Sequence, residues 1–414
     1  MALLGNNRTI LLMSDEALYI YAHTPRTTRM VEAVPWDAED FERNIARIIT
    51  KDCGGKPVLI LNDMVEQHYR KERVIKTGVG VMDRAGMLKR KIAIAFPSYP
   101  VRAALQLKEK VSKKEAKLAA DIYIFAAVPD TKQFQRVIGA AKSTTASISG
   151  FCLLPVESSD MVRALGAALT EKGRQPSKWT LFIGQHKNGG LRQIVTKNGE
   201  LALTRMTSIA DSDRDMNAWT NDVMQEFRAT MTYLTRFGFQ KEDGLDIILI
   251  ANPTAGDMFG RMLEGDYYYR SLTVFEAANF LKMSLGPQED SHYADILHVV
   301  WAGRKNKFIL PMRAKELDRV VKPRQAALAA SLLLFGGAAF LSYQLIGVLQ
   351  ESSVASNDID IAKNRIQQLD VQYKTEIKRK EALGFPVLLV QSSIAINKNL
   401  ENKNIKALRL FGGI

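Results

Sequence analysis

One uncharged apolar segment constrains the fold of this chain more than any other feature of its sequence. Residues 326–349 contain no charged side chain. As a helix that rises ~1.5 Å per residue, this segment is long enough to cross a hydrocarbon layer of about 30 Å. A buried core helix is the alternative, because Ser331, Gly336 and Tyr343 dilute its apolarity. Uncharged runs beyond about 18 residues favour spanning, so the sequence predicts a transmembrane helix over residues 325–350.

Basic residues concentrate on one side of this segment. Residues 304–324 carry eight Lys or Arg against two acids, whereas residues 351–370 carry two bases against four acids. Basic flanks stay on the cytoplasmic side of a membrane. The sequence therefore predicts residues 1–324 in the cytoplasm and the region after residue 350 outside it.

The formal net charge of +13 raises the question of an anionic partner. Residues 304–324 alone contribute +6, beside the predicted span, which favours anionic lipid headgroups as the partner. A nucleic-acid binder is the alternative. No helix-turn-helix or aromatic-interleaved basic strand supports it, so no nucleic-acid partner is expected.

The region before the span alternates strand and helix patterns. Residues 8–22 and 180–205 each have the pattern of a β-hairpin opening. Between and after them we predict strands over 57–61, 92–96, 122–127 and 246–251, and helices over 38–50, 131–142, 158–168 and 215–237. The lysine-rich stretch 106–117 is predicted as a helix with a solvated face. Two similar openings within an α/β pattern indicate a duplicated α/β architecture over residues 1–303.

The usual signatures of catalysis are missing from the sequence. Gly55-Lys56 lacks the flanking residues of a phosphate-binding loop. The histidines are scattered without metal-ligand spacing, and no Gly-x-Ser-x-Gly elbow occurs. We therefore predict no catalytic residue, no metal ligand and no enzymatic activity.

The second hairpin carries a resemblance to a known family. The hairpins, the duplication and the run 181–207 resemble the actin-like PilM-type proteins of type IV pilus assembly and the cytoplasmic part of GspL-type proteins of type II secretion. The matching residues are Phe182-Ile183-Gly184, Asn198-Gly199-Glu200-Leu201, Arg205, Met224-Gln225-Glu226-Phe227 and Tyr233. The resemblance implies a duplicated actin-like, ribonuclease H-like body.

A second resemblance lies directly before the predicted span. The run 306–313, Asn-Lys-Phe-Ile-Leu-Pro-Met-Arg, is similar to the amino terminus by which PilN-type proteins dock onto PilM. It implies a basic juxtamembrane linker over 304–324 with a docking role, either in cis or on a neighbouring body. The residues assigned to this docking are Asn306, Phe308, Ile309, Leu310, Pro311 and Arg313.

The chain departs from the nucleotide-binding pattern of actin-like proteins. The first hairpin, 11–15, lacks an Asp-x-Gly turn, Phe182 stands at the expected Asp of the second, and Ala251-Asn252-Pro253 replaces a glycine pair. An aromatic side chain cannot hold a metal-bound water. The resemblance therefore implies a degenerate nucleotide cleft, and we expect no cofactor and no ATP hydrolysis.

Beyond the span, residues 351–414 are predicted as a coiled-coil-like helix followed by an incomplete α+β segment. A seam at alternating three- and four-residue steps predicts either a coiled-coil pair, as a homodimer or a heterodimer, or a single amphipathic helix, since its phase breaks at Glu376. The seam residues are Ile359, Ala362, Ile366, Leu369 and Tyr373. A helix over 387–396, a loop over 397–404 and a strand over 405–411 are expected to follow. Gly336 and Gly337 are candidates for packing against another helix within the membrane.

Together these features predict a non-catalytic scaffold of a type IV pilus assembly machine, with one span in the bacterial inner membrane. By resemblance, its cytoplasmic partners are platform proteins and the assembly ATPase, and its far end lies in the periplasm. A GspL-type component of type II secretion and a membrane-tethered actin-like ATPase are the alternatives.

Overall fold

The computed structural model of the chain describes residues 6–75, 81–110, 120–187, 190–209, 215–286, 292–382, 384 and 386–411. The chain divides into two units, Met1–Ala326 and Ala327–Ile414.

The strands of the described residues all lie in the first unit. They are β1 (Arg8–Met13), β2 (Ala17–His23), β3 (Thr28–Pro35), β4 (Val58–Asn62), β5 (His68–Ile75), β6 (Val101–Lys110), β7 (Ala120–Val128), β8 (Ile148–Leu153), β9 (Trp179–Gln185), β10 (Gly190–Lys197), β11 (Glu200–Ser208), β12 (Leu245–Ile250) and β13 (Tyr268–Leu272).

The helices of the described residues follow the same chain order. They are α1 (Phe41–Arg47, continued by a π turn at Ile48–Asp52), α2 (Val81–Ala95), α3 (Lys132–Lys142), α4 (Leu154–Glu157), α5 (Ser159–Leu169), α6 (Met216–Arg236), α7 (Pro253–Met262), α8 (Val274–Phe280), α9 (Asp295–Arg304), α10 (Lys315–Ala382) and α11 (Val387–Phe411).

Two five-stranded sheets repeat one topology. The first has the order β3-β2-β1-β4-β8 and the second β11-β10-β9-β12-β13. In each sheet the first three strands in sequence pair antiparallel and the next two add in parallel. This repeated order is the duplicated ribonuclease H-like arrangement of an actin-like body, so the predicted fold class is confirmed.

The two sheets share one core. Phe182 on β9 and Ile248 on β12 join the first half's buried cluster, together with residues of α5, α8 and α9. Successive residues of a strand point to opposite faces, so Leu181 and Ile183 instead enter a second cluster beneath α6 and α7. The predicted apolar stripe of α6 lies in that cluster, with Trp219 and Phe227 buried.

A small antiparallel sheet of order β5-β7-β6 is inserted after β4. The prediction of a strand over 92–96 was wrong, because Ile92 belongs to α2 and packs with Phe96 on Phe125 of β7 at helical spacing. The predicted helix over 106–117 was also wrong as far as Lys110, which ends β6. Pairing with the buried strand β7 outweighs the helix propensity of these lysines. Residues 111–117 lie outside the described residues.

The second unit consists of helices. The stretch Ala329–Ala382 has a window of mean hydropathy 1.9, none of it buried, and is long and apolar enough to cross a membrane. The loop expected over 397–404 and the strand expected over 405–411 were wrong, since α11 runs through both to Phe411. This stretch contains Lys, Glu, Ala and Leu, which are strong helix formers. Among the described residues of the second unit there is no strand with which it could pair.

Candidate functional site

The segment directly after α9 is docked on the actin-like body. The Met312 N–H donates to the Phe151 carbonyl of the edge strand β8, at 2.8 Å. Arg313 forms an antiparallel bridge with Arg102 of β6. The segment therefore covers the edge of the first sheet where it meets the small inserted sheet.

Side chains of this segment alternate between the body and solvent. Leu310, Met312 and Ala314 are buried in the first core cluster, and Leu317 on the first turn of α10 joins them. Pro311, between them, is exposed. The buried side chains are thus spaced as in a strand, and they hold the chain on the body up to the start of α10.

Phe308 fits into a gap left by a glycine. A Cβ at Gly150 of β8 would lie 3.0 Å from the Phe308 ring, which is too close for any larger residue without displacing the ring. The guanidinium of Arg8 lies 5.3 Å from the ring centroid, within cation–π range. Asn306 accepts a hydrogen bond from Asn6.

Glu157 clamps the segment through its backbone. The Glu157 side chain is 1% exposed, and its two oxygens accept the N–H groups of Ile309 at 3.0 Å and Leu310 at 2.9 Å. Lys305 Nζ lies 3.0 Å from the same carboxylate and 2.8 Å from Asp160. Hydrogen bonds to a charged group each contribute about 1.5–3 kcal/mol, and here a paired charge is buried with its partners satisfied.

A buried histidine supports the root of the segment. The His23 ring packs against Gly303, where a Cβ would approach ring atoms to 2.7 Å, and its Nδ1 is 2.7 Å from Thr28 Oγ1. Burial, together with the positive charges of Arg8 and Arg304, lowers the pKa of His23 to about 4. The imidazole is therefore neutral at neutral pH.

A second constellation lies where the first sheet meets the β9–β10 hairpin. Asp63 follows β4, His186 follows β9, Arg192 lies on β10 and Asp295 begins α9. His186 Nδ1 is 2.6 Å from Asp63 and 3.6 Å from Asp295, and Arg192 donates to Asp63 at 2.6 Å. All four side chains are at most 4% exposed.

The electrostatics of this ion cluster favour the charged forms of Asp63 and His186 but not that of Asp295. Burial raises the pKa of Asp63, but Arg192 and His186 outweigh burial and hold it below the usual value. Burial likewise lowers the pKa of His186, yet Asp295 and Asp63 raise it overall. For Asp295 burial prevails, and its pKa is raised. The cluster is therefore a buried network in which basic side chains neutralise carboxylates.

Three members of the cluster also have the composition of a metal site. Ligand atoms of Asp63, His186 and Asp295 lie within 4.8 Å of one another. However, Arg192 and His186 Nδ1 already occupy the two carboxylate oxygens of Asp63 that a cation would need. The arrangement fits an internal ion pair better than a metal centre.

Sequence patterns missed this cluster because its members are far apart in the chain. Phe182, assigned to the metal-organising position, is instead fully buried within β9, with its ring 5.2 Å from that of His298. Polar residues stand at and directly after the ends of the buried strands that lead into the ion cluster, as in Asn62-Asp63 and Gln185-His186. That signal, a polar residue directly after an apolar strand, was present in the sequence.

The remaining predicted site residues lie in the second unit. Gly336 and Gly337 have no atom near a built Cβ within the described chain. The seam residues Ile359, Ala362, Ile366, Leu369 and Tyr373 are exposed on α10. Their pairing roles remain predictions.

Comparison with known proteins gave structural matches. No family model and no curated protein matches the sequence. The PilM-PilN type IV pilus biogenesis complex is similar at 12% identity and a TM-score of 0.48, over 72% of this chain and 99% of that chain. The cytoplasmic domain of EpsL, an inner-membrane component of the type II secretion system of Vibrio cholerae, is similar at 6% identity and a TM-score of 0.36, over 73% and 98%.

A protein of Bacteroides thetaiotaomicron with an actin-like ATPase fold is also similar, at 8% identity and a TM-score of 0.35, over 72% of this chain and 96% of that one. Type IV pilus and type II secretion proteins, the two groups that the sequence resembles, are thus both among the similar structures. The actin-like fold itself follows from the repeated sheet order of the first unit.

Because buried and exposed residues alternate in the docked segment, substitutions at adjacent positions should differ in their effect on docking. Leu310→Asp buries an unpaired carboxylate, which costs several kcal/mol, so the segment should detach while the body stays folded. We expect trypsin to cleave between Arg304 and Arg313 about tenfold faster than in the unmodified protein. Pro311→Asp is the matched control, because Pro311 is exposed, and equal cleavage of the two variants would contradict the docking.

His23 makes stability depend on pH in a defined direction. Its pKa is about 4 in the folded chain and about 6.5 in the unfolded chain. Between these values only the unfolded state binds the proton, so stability is complete above pH 6.5 and is lost as the pH falls. We expect the free energy of unfolding to fall by about 1 kcal/mol per pH unit more than in His23→Gln. Parallel pH profiles from denaturant titrations would contradict this.

Proposed function

We propose that this protein is a non-catalytic scaffold of a type IV pilus assembly machine in the bacterial inner membrane. The actin-like body lies in the cytoplasm, α10 crosses the membrane once, and the chain after the span lies in the periplasm. The body recruits platform proteins and the assembly ATPase. The proposal extends the resemblance of residues 306–313 to the segment by which PilN-type proteins dock.

The observation that carries this proposal is the docking of residues 305–314 in cis. Glu157 holds the backbone of the segment, and Leu317 on the first turn of α10 is already buried on the body. No loop separates this docked turn from the helix that contains the apolar run, because α10 begins at Lys315 and continues to Ala382. Such an attachment suits a protein that transmits position or force between a cytoplasmic partner and a membrane helix.

The charge distribution supports the proposed orientation. Residues 304–324, directly before the apolar run, carry eight bases against two acids, and such a basic flank favours the cytoplasmic side of a membrane, where the headgroups are anionic. A nucleic-acid partner is not part of the proposal.

The ion cluster supports a non-catalytic role. Hydrolysis in an actin-like cleft needs carboxylates that are free to organise a metal ion and a water. Here Arg192 and His186 bind the oxygens of Asp63, and His186 also lies beside Asp295. A nucleotide with its metal would have to break buried ion pairs, which costs several kcal/mol. We therefore propose that the chain binds no cofactor.

A GspL-type role in type II secretion is the second candidate. It is favoured by one observation, namely that the actin-like body and the spanning helix belong to a single polypeptide. The two candidates share the same scaffold chemistry and differ in the partners of the body.

Affinity capture from membranes tests the proposed role. The tagged full-length chain should recover inner-membrane platform proteins together with an assembly ATPase, and the identity of that ATPase separates pilus assembly from type II secretion. Leu310→Asp detaches the docked segment and should reduce the co-recovery of partners that bind this segment. Pro311→Asp should leave that co-recovery unchanged. Recovery of neither set of components would contradict the scaffold proposal.

Nucleotide titration tests the absence of catalysis. We expect no saturable binding of a fluorescent ATP analogue with Mg²⁺ up to millimolar concentration, and no phosphate release, because Arg192 and His186 neutralise the cleft carboxylates. Saturable binding with turnover that is lost in Asp63→Asn would instead favour the membrane-tethered ATPase.

A further inference from the structure

A cavity of about 320 Å³ lies within the first unit, between the small inserted sheet and the second half of the body. Its walls are the face of the small sheet that carries Leu107 and Ile124, the strand β11, and Phe237 at the end of α6. Small-molecule sites are typically apolar cavities of roughly 300–1,000 Å³ that contain a few polar groups. The residues of the ion cluster do not line this cavity, so it is a separate site.

A bulge in β11 shapes one wall of the cavity. Leu201 and Leu203 pair with consecutive residues of β10, so Ala202 between them is an extra residue. Residues two apart in a regular strand share one face, but here Leu201 belongs to the first core cluster and Leu203 packs against the second. Because β11 is the edge strand of its sheet, this bulge lets the contiguous stretch 200–204 line the cavity.

The two acidic residues that line the cavity are already bound. Both carboxylate oxygens of Glu200 accept the backbone N–H of Lys108, at 2.8 and 2.9 Å. Glu109 forms an ion pair with Lys71. The described lining therefore offers no free carboxylate, which disfavours a cationic ligand.

Two ammonium groups near Glu200 are available for an anion. Lys197 is the cross-strand partner of Glu200, and its Nζ lies 5.0 Å from the centroid of the Trp179 ring. Among the ion pairs of the described residues, none involves Lys197 or Lys108. Lys197 is only half-exposed, and an ammonium in such a place binds an anion more strongly than one in open solvent. The Glu200 end of the cavity is therefore cationic.

The shape of the cavity suits a linear apolar chain. The cavity follows β11 from Glu200 to Thr204. Four residues of strand rise roughly 13 Å, about the length of an extended ten-carbon chain. The walls beside this stretch are largely aliphatic, with Leu107, Ile124 and Leu201 each buried. A ligand with an aliphatic body and one terminal anionic group matches both the walls and the cationic end.

We propose that this cavity binds a medium-chain carboxylate, with its acyl chain along β11 and its anionic group on Lys197 and Lys108. The proposal concerns the actin-like body alone, and it depends neither on the topology nor on the partners in the proposed function. A ligand in this position contacts both the small sheet and the second half of the body. It should therefore also raise the Tm of the body.

Photolabelling of the full-length chain in lipid nanodiscs tests the site. The probe is decanoate with a diazirine near the end of its chain. Trypsin cleaves after Lys197 and Arg205, so residues 198–205 are released as one peptide. We expect label in this peptide, and an excess of unlabelled decanoate should remove it. Label confined to α10 would reflect partition into the lipid and would overturn the proposal.

Variants of the lining separate the acyl and anionic contacts. Ala202→Phe fills the cavity and should abolish the labelling of residues 198–205. Lys197→Gln should weaken competition by decanoate about tenfold, whereas Lys197→Arg should retain it. Lys241→Gln is the matched control, because Lys241 is exposed and lies outside the cavity. Competition by uncharged decanol should be weaker and equal in the Lys197→Gln and unmodified chains.

Equal competition by decanoate in the Lys197→Gln and unmodified chains would overturn the assigned anionic contact. Lys197 is an accessible side chain, so this comparison holds even if Ale202→Phe impairs folding.

Chain length and headgroup test the ligand class. Octanoate should compete about tenfold more weakly than decanoate, because it buries two fewer CH₂ groups. Competition by AMP or by decyl phosphate at concentrations where decanoate has no effect would overturn the assignment of a carboxylate.

Discussion

Glu157 is the residue on which the docking of the segment 305–314 on the body depends. Its carboxylate, buried at the end of α4, binds two consecutive backbone N–H groups and Lys305. Leu310 and Met312 are buried on either side of the exposed Pro311. The contact thus combines a backbone clamp, which is independent of side-chain identity, with apolar anchors.

The actin-like body also contains the buried ion cluster described above. Asp63 and Asp295 supply carboxylates of the kind that organise a metal, while Arg192 and His186 neutralise them. Breaking buried ion pairs of this kind costs several kcal/mol. The cluster joins the carboxyl end of the first sheet to the second hairpin, so it stabilises one relative position of the two halves of the body.

Local patterns predicted most elements of the body, but they failed where pairing with distant segments decided the structure. Ile92 is spaced equally well for a short strand or for a helix, and packing against Phe125 selected the helix. The stretch that ends at Lys110 has helix-favouring lysines, yet β7 recruits it into a sheet. The stretch 405–411, expected as a strand, has no sheet to join among the described residues of its unit, and it is helical to Phe411.

The sequence by itself determined the apolar run, the basic flank, the duplicated hairpins and the heptad seam, because each depends on the spacing of neighbouring residues. Only the tertiary structure decided that Glu157 clamps the segment 305–314 and that His186 meets Asp63. These partners are separated by more than a hundred residues, and no local period encodes such a distance. A buried charge is tolerated only when the fold brings its partner within about 3 Å, so tertiary packing selects which charges these are.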